Sequence, residues 1–583
     1  MSGTVLSTSR VSRALRLTRL GSINFWPLFW ALIFLILVAP IAIFLLISIS
    51  PALVGQGPQW VSLTAFRTAF TTTFAQALID SALLGIVVSV SATALAYLLS
   101  WITLRTNSPV RRLLTFTIYG LMITPSYMIA MGWQRLFEPG GVFEVAGLDV
   151  TGPRHVLYSP IGVALVLTMK GVPFAYLAIS AGMAGLGQQF EDAARTHGAS
   201  ARVANRMNIS LLAPSVWSAL AVVFAEAVSD FGVAYTLAAA AHFPVATYAI
   251  YNAVQAFPVR FDVASAASWC LLGLIMLALF AQSRAMHGRS YRVLSGRSQA
   301  PRILRLRPWE MALTPLAGTA FVVIALGVPA FGAVSASMIT NLGRADTFSI
   351  SLSNYTRALH NPEMYQPLLY SASIAAVVAT FAVGVAAVCA RKLSSAVNSL
   401  SARALDLILL VAIALPGIVF AAGYIFTFNL PFWSTLGIQL YGTTFLLGLA
   451  YLASGLPSTA RLLSGSMSQL QASISEAARV HGASGLVSAL TVVAPLLAGP
   501  MLSAWQLTFA HVVLELPISQ LLYPPGHPPV VVGIDQALAQ YDFGGGTAMQ
   551  VLAMLVALGV VGIVSLLYRL LVPTGWRRIG HQR

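Results

Sequence analysis

Residues 193–200 read AARTHGAS, and residues 477–484 read AARVHGAS. These two octapeptides lie about half of the 583-residue chain apart. Upstream of them, the same spacing aligns Gly171 with Gly455, Pro173 with Pro457, Met183 with Met467 and Leu186 with Leu470. A slightly larger spacing aligns Thr124-Pro125 with Leu415-Pro416 and Gly132-Trp133 with Gly423-Tyr424. Self-similarity at a nearly constant spacing indicates an internal repeat, so we expect two related halves.

The composition of both halves is that of a membrane protein. Hydrophobic residues make up 57% of the chain and charged residues only 9%, with a mean hydropathy of +0.81. A soluble chain of this length needs more charge to cover its surface. The two cysteines, Cys270 and Cys389, both lie in apolar stretches and provide neither a disulfide framework nor a cysteine-rich metal site.

Apolar windows long enough to cross a bilayer recur along the whole chain. A membrane-spanning helix needs about 20 mostly apolar residues. Twelve windows meet that length, at 25–49, 78–103, 113–134, 160–181, 211–236, 263–282, 311–333, 368–390, 407–428, 443–463, 496–518 and 548–571. The predicted fold class is therefore an all-α integral membrane protein with twelve transmembrane helices.

The distribution of basic residues predicts the orientation of these helices. Lys and Arg residues are retained on the cytoplasmic side of membrane proteins. Most of the 33 basic residues lie near the two termini and in alternate loops, whereas the remaining loops contain Arg67, Arg135, Arg154, Arg260, Arg344 and Arg357. Both termini are expected in the cytoplasm, and the first window is read as an uncleaved span. The net charge of +16 is explained by topology, so no nucleic-acid partner is expected.

The repeat divides the twelve windows evenly. Residues 1–283 form the first half, 284–310 a basic cytoplasmic linker, and 311–583 the second half. Each half has an even number of spans, so the two six-helix repeats are parallel about an axis along the membrane normal. Such a pair can enclose a path between its halves, which favours a transporter.

The octapeptides lie in the cytoplasmic loop between the fourth and fifth windows of each half. The stretch Glu476-Ala477-Ala478, then Gly482, and later Val492 and Pro495 resembles the EAA loop of binding-protein-dependent ABC importer permeases. The first copy departs from this pattern, since Asp192 replaces the Glu, Glu191 precedes it, and Leu211 stands where the later Pro is expected.

The resemblance implies that each loop is a short coupling helix that docks on an ATP-binding subunit. The implied coupling residues are Glu191, Asp192, Ala193, Ala194, Arg195 and Gly198 in the first copy and Glu476, Ala477, Ala478, Arg479 and Gly482 in the second. The alternative is an ordinary connecting helix at the membrane interface. His197 and His481 have no second ligand at a supporting spacing, so no metal site is predicted.

The chain has no P-loop of its own. That motif requires Gly-Lys followed by Ser or Thr, but Lys170 follows Met169 and Lys392 follows Arg391. The chain is therefore not expected to be an enzyme or to bind a cofactor, and ATP and Mg belong on partner subunits. The implied partners are two ATP-binding subunits, one extracytoplasmic solute-binding protein near residues 137–159 and 519–546, and membrane lipid.

Ionisable residues in the apolar windows are candidates for a path through the membrane. Aligning the fifth and eleventh windows places Glu226 with His511 and Asp230 with Glu515. Each pair has i, i+4 spacing and therefore lies on one helix face. We expect Asp230 and Glu515 to face a central cavity near its outer end and to favour a cationic solute, or alternatively to cap or pair within their own half. Lys170 either snorkels or neutralises Glu226.

Two further segments resemble fused permeases for ferric iron. They are Ser229-Asp230-Phe231-Gly232, and Glu515-Leu516-Pro517 followed by residues 522–526. The resemblance implies an inner-membrane importer permease for ferric iron, with thiamine, polyamine and phosphonate as alternative solutes. An ion-coupled secondary carrier is the alternative of a different class.

Overall fold

The computed structural model describes most of the chain. The described residues are 25–71, 73–185, 196–198, 210–286, 303, 306–340, 342, 349–395, 399–470, 472–482 and 484–571. Nearly all of their regular structure is helical, and the exception is a two-stranded antiparallel pair in which Ile339 lies opposite Ile350. The all-α membrane fold predicted from the sequence is confirmed.

The first half consists of long helices joined by short ones. Its helices are α1 Phe25–Ile33, α2 Ala39–Ile47, α3 Thr64–Thr71, α4 Thr73–Arg105, α5 Arg111–Ile123, α6 Ser126–Phe137, α7 Val142–Val145, α8 Thr151–Leu157, α9 Pro160–Gly185, α10 Ala213–Ser229, α11 Ala246–Gln255 and α12 Phe261–Met286. A π-helical turn, Phe34–Val38, joins α1 to α2, another covers Ala234–Ala238, and a 3-10 turn covers Pro51–Val54.

The elements from Pro308 onward make up the second half of the chain. Its elements are α13 Pro308–Val322, α14 Val328–Met338, β1 Ile339–Thr340, β2 Ser349–Ile350, α15 Ser353–His360, α16 Pro362–Ser395, α17 Leu400–Ala414, α18 Gly417–Phe428, α19 Pro431–Thr435, α20 Thr444–Met467, α21 Ala472–Val480, α22 Gly485–Ser488, α23 Ala494–Leu496, α24 Ala498–Val513, α25 Pro517–Leu522, α26 Val530–Ala539 and α27 Phe543–Leu571. π-helical turns cover Val323–Gly327, between α13 and α14, and Ala489–Val493.

Seven helices of the described chain are long and apolar enough to cross a membrane, or up to nine spans if two bent pairs each count as one. With each bent pair counted as one span, three of the twelve windows predicted from the sequence still do not contain a helix that is both long and apolar enough to cross a membrane. Helix α10 has 17 residues and α24 has 16, about 25 Å each at 1.5 Å per residue, which is shorter than the hydrocarbon core of about 30 Å. Helix α20 has 24 residues, but its many Ser, Thr and Gly residues lower its hydropathy. Twelve spans therefore remain a prediction.

The two bent pairs are interrupted at the prolines that the repeat aligned. Helices α5 and α6 meet at 104°, and α17 and α18 meet at 106°. Thr124 and Leu415, which precede Pro125 and Pro416, are extended, with ψ of 122° and 131°. Proline excludes the helical conformation from the residue before it and supplies no N–H donor, so the helix breaks at this point in both halves.

A second matched feature ties a short helix to a long one in each half. The backbone N–H of Ala246, the first residue of α11, donates to Ser81 Oγ at 2.8 Å. The backbone N–H of Val530, the first residue of α26, donates to Ser371 Oγ at the same distance. Ser81 lies on α4 and Ser371 on α16, which occupy corresponding places in the element order. Corresponding residues therefore make corresponding contacts at these positions.

The two halves pack together because the first long helical segment of each half lies against an interrupted helix of the other half. Helix α14 of the second half packs on α6, and α2 of the first half packs on α18. A Cβ added to Gly132 would overlap the backbone of Pro329, and one added to Gly423 would lie 2.9 Å from the carbonyl oxygen of Pro40. The Tyr424 hydroxyl also donates to the Ile36 carbonyl at 2.9 Å. These glycines allow the backbones of the two halves to touch.

We expect Gly132→Val to weaken this interface. Forcing a branched side chain against a backbone carbonyl should destabilise the fold by about 3 kcal/mol. Thermal unfolding of the purified protein in detergent measures the change, and Gly423→Ala gives a milder test of the reciprocal contact. Gly384→Val is the matched control, because a Cβ at Gly384 meets no atom within 4 Å. Equal thermal midpoints for Gly132→Val and Gly384→Val would contradict the packing described here.

Candidate functional site

A cavity of about 490 Å³ lies between the two halves. Both interrupted helices contribute to its wall at their breaks, together with residues from the ends of α10 and α24. Its lining includes Met122, Ile123, Pro125, Ser126, Tyr127, Lys170, Phe174, Glu226, Ser229, Asp230, Phe231 and Gly232 from the first half, and Ile413, Leu415, Pro416, Gly417, Phe420, Ser454, Ser458, Leu507, His511, Leu514, Glu515, Leu516 and Pro517 from the second. Corresponding segments of the two halves thus face the same space.

All five ionisable residues singled out in the sequence line this one cavity: Lys170, Glu226, Asp230, His511 and Glu515. Glu226 lies on the last turn of α10, and Asp230 follows the end of that helix. His511 occupies the corresponding place on α24, and Glu515 lies two residues beyond its end. The i, i+4 spacing predicted a shared helix face, whereas Asp230 and Glu515 lie just beyond the helix ends; each pair meets as part of the lining of one cavity.

Asp230 and Glu515 also cap the backbone that follows them. Asp230 Oδ1 accepts a hydrogen bond from the Val233 N–H at 2.7 Å. Glu515 Oε2 accepts from the N–H groups of Ile518 at 2.9 Å and Ser519 at 3.2 Å, at the start of α25. A carboxylate at this position satisfies donors that a helix start leaves free, and it is favoured by the helix dipole. Each acid therefore caps the backbone that follows it and also lines the cavity.

Lys170 donates hydrogen bonds to the carbonyl oxygens at the C-terminal end of α5, where the helix is interrupted. Its Nζ donates to the carbonyl oxygens of Leu121 at 3.2 Å, Met122 at 3.4 Å and Thr124 at 2.8 Å. The last carbonyls of a helix have no partner within the helix, and a cation there is favoured by the helix dipole. The ammonium of Lys170 is thus held by backbone carbonyls rather than directed to the membrane surface.

The second half lacks this lysine. The repeat aligns Lys170 with Ser454, whose hydroxyl lies 3.3 Å from His511 Nε2. The two walls of the cavity consequently differ in charge although their backbones correspond. Glu226, Asp230 and Lys170 belong to the first half, whereas His511 and Glu515 belong to the second.

Sequence reasoning did not single out the tips of the interrupted helices as site residues. Pro125, Ser126 and Tyr127 line the cavity from the first half, and the tip at Pro416 does so from the second. The Tyr127 hydroxyl is buried and has no hydrogen-bond partner in the described part of the chain. The matched prolines in two apolar windows were the available signal, because a proline within a span marks backbone that must be satisfied by other groups.

The repeated cytoplasmic loops are described in part. Glu191, Asp192, Ala193, Ala194 and Arg195 lie outside the described residues, as do the side chain of Arg479 and most of the linker at 284–310. Helix α21 spans Ala472–Val480, and its Glu476 and Ala477 are exposed. Gly198 and Gly482 have positive φ of 77° and 82°. This left-handed conformation ends a helix and favours glycine, as the sequence predicts for both turns.

Among the described residues, no group of three or more His, Cys, Asp and Glu side chains is placed to hold a metal ion. Of the cavity acids, Asp230 and Glu515 accept hydrogen bonds from backbone amides.

We expect Lys170→Met to destabilise the protein. The change leaves the carbonyls of Leu121, Met122 and Thr124 without their charged donor, at a cost of about 2–3 kcal/mol. Lys170→Gln is the matched variant, since its amide keeps two N–H donors and should retain part of the stability. Thermal unfolding midpoints in detergent compare the three proteins. A midpoint for Lys170→Met equal to that of the parent would show that this capping contributes nothing.

Sequence comparison places the chain near known permeases. It is 22% identical over 426 residues to the probable ABC transporter permease protein y4fN of Sinorhizobium fredii, covering 71% of this chain and 73% of that protein. It is 23% identical over 403 residues to the ferric transport system permease protein FbpB of Actinobacillus pleuropneumoniae, covering 67% of this chain and 56% of the relative.

A shorter match, 26% identical over 204 residues, covers 34% of this chain and 71% of the sulfate transport system permease protein CysT of Salmonella typhimurium. No family model matches the chain. The long apolar helices and these relatives together indicate a multi-pass inner-membrane protein. The predicted resemblance is therefore confirmed: the chain is related in sequence to the permease subunits of ABC transporters.

Proposed function

We propose that this chain is the membrane-spanning permease of an ATP-driven importer and that the cavity between its halves is the solute path. The observation that carries the proposal is the meeting of corresponding residues from both halves around one cavity, with Asp230 and Glu515 in corresponding capping positions. The similarity to ABC transporter permeases supports the same function.

The proposed architecture is two fused repeats of six spans each, over 1–283 and 311–583, joined by the linker at 284–310. The short helices α10 and α24 and the less apolar α20 complete the count of twelve. Helices shorter than the hydrocarbon core can span when neighbouring helices surround them and satisfy their ends. Both termini would then lie in the cytoplasm, as the distribution of arginines predicts.

Energy would come from two ATP-binding subunits, one on each repeated loop, with ATP and Mg held by those subunits. The exposed residues of α21 are available for docking, and the turn at Gly482 connects this helix to the element leading into α24. Closure of the ATP-binding pair would bring the two loops together and rock the halves as rigid bodies. A solute-binding protein would deliver the solute to the opposite face.

We propose ferric iron as the solute, because the cavity favours a cation. Three carboxylates line it against one ammonium, and that ammonium is already engaged with three carbonyls. A low-dielectric cavity lined by one sign of charge concentrates ions of the opposite sign. This balance supports a ferric rather than a sulfate or phosphonate solute, whereas thiamine and polyamines remain cationic alternatives.

We expect the double variant Asp230→Asn, Glu515→Gln to lose transport without losing stability. The side-chain amides keep a carbonyl oxygen to accept the capping hydrogen bonds but remove both negative charges. Uptake of labelled ferric iron by proteoliposomes that contain the complete transporter should fall at least tenfold. The thermal midpoint should change by less than the equivalent of about 1 kcal/mol. Undiminished uptake would show that these charges do not act on the solute.

We expect Gly482→Val to uncouple ATP hydrolysis from transport. A branched residue is strained at a φ of 82°, so the turn that positions α21 should shift. ATP-driven uptake should fall about tenfold, while the thermal midpoint of the isolated permease stays close to that of the parent. Gly465→Val, on α20, is the control, because a Cβ there meets no atom within 4 Å and its φ is not in the left-handed region. Normal coupling in Gly482→Val would count against the docking role of this loop.

A further inference from the structure

Four residues beyond the cavity occupy corresponding positions in the two halves. Tyr235 lies five residues after the capping acid Asp230, and Gln520 lies five residues after Glu515. Tyr251 and Asp535 are each the sixth residue of the matched short helices α11 and α26. The first half thus contributes Tyr235 and Tyr251, and the second half contributes their counterparts Gln520 and Asp535.

These residues meet across the boundary between the halves. The Tyr235 hydroxyl donates to Asp535 Oδ2 at 2.9 Å. The Tyr235 and Tyr251 rings lie 5.5 Å apart, edge to face. Gln520 lies beside the Asp535 carboxylate.

The contacts of Tyr235 with Tyr251 and Asp535 show how far these residues lie from the two-fold axis that relates the halves. A residue and its counterpart are separated by twice their distance from the axis that relates the halves. Tyr235 contacts both Tyr251 and the counterpart of Tyr251, Asp535, so Tyr251 and Asp535 lie close together and therefore close to that axis. A solute that passes between the halves of a parallel repeat follows the same axis.

The four residues lie directly beyond the wall of the cavity. Phe231 lines the cavity, and its ring is 5.4 Å from both Tyr235 and Tyr251. From Phe231 the chain continues through Tyr235 to the loop at 239–245, which the arginine distribution predicts to be outside. Helices α11 and α26 have ten residues each, about 15 Å, which is about half the thickness of the hydrocarbon core. Neither helix can cross the membrane, so the chain enters and leaves it on the outer side at both helices.

We propose that Tyr235, Tyr251, Gln520 and Asp535 form the outer gate of the cavity, held closed by the hydrogen bond between Tyr235 and Asp535. This inference rests on the proposed function, because a gate is meaningful only if the cavity is a solute path. Entry of a solute from outside requires the bond to break as the halves separate.

Accessibility of the cavity from outside tests this gate. The reporter is Ser229→Cys, at a position lining the cavity, in a full-length chain from which Cys270 and Cys389 have been removed by substitution with alanine. A membrane-impermeant thiol reagent is added to the outer face of right-side-out vesicles. Tyr235→Phe keeps the ring but removes the donor, and we expect it to raise the labelling rate about tenfold.

Two further variants separate loss of this bond from general loosening of the aromatic cluster. Asp535→Ala should also raise labelling, and the double variant should add little, because both changes remove one shared bond. Tyr248→Phe is the matched control, since its ring contacts Tyr235 and Tyr251 while the hydrogen bond to Asp535 belongs to Tyr235. We expect it to leave labelling unchanged.

Labelling of Tyr235→Phe at the rate of the parent, or at the rate of Tyr248→Phe, would overturn the gate. The measurement needs neither ATP nor iron. Discovery that the transporter carries another solute would therefore not affect the labelling result. Conversely, an unchanged labelling rate would overturn the gate but not the proposed function.

Discussion

Backbone groups freed by interrupting a helix inside a membrane must be satisfied by other parts of the protein, and this requirement governs the whole site. Lipid offers no hydrogen bonds, so each free N–H or carbonyl there costs several kcal/mol unless a side chain reaches it. Pro125 and Pro416 interrupt α5–α6 and α17–α18 in the middle of the molecule. At the cavity, charged side chains form these hydrogen bonds. Lys170 donates to the carbonyls at the end of α5, and Glu515 accepts from the amides at the start of α25.

The same requirement explains how ionisable residues are retained in an apolar protein. Each of Lys170, Asp230 and Glu515 is expensive at membrane depth, but each is fixed by backbone dipoles that it in turn satisfies. Fixing them to backbone at the breaks also places them around the cavity. Structural support and the electrostatic character of the cavity are thus properties of the same side chains. Because Ser454 stands where the first half has Lys170, only the first half's wall of the cavity carries an ammonium group as well as carboxylates.

Much of this arrangement follows from patterns along the chain, and the remainder depends on contacts between distant residues. Apolar length and the matched Pro125 and Pro416 predict helices and their interruption, but not a bend above 100°, because a proline can also merely kink a helix. The i, i+4 spacing predicts that Glu226 and Asp230 share a helix face, whereas Asp230 lies just beyond the end of α10. The spacing does not reveal which carbonyls Lys170 meets, since Leu121 and Thr124 lie on a different helix. The bond from Tyr235 to Asp535 joins residues far apart in sequence, and only the packing of the two halves brings them together.

The central claim is that this chain forms a path that a separate ATP-hydrolysing motor must drive. The most direct test compares uptake of labelled ferric iron by proteoliposomes containing this chain and the proposed solute-binding protein, with and without the proposed ATP-binding subunits. The account predicts uptake only when those subunits and ATP are both present. Uptake by the chain without the ATP-binding subunits, driven by an ion gradient, would contradict it and establish a secondary carrier.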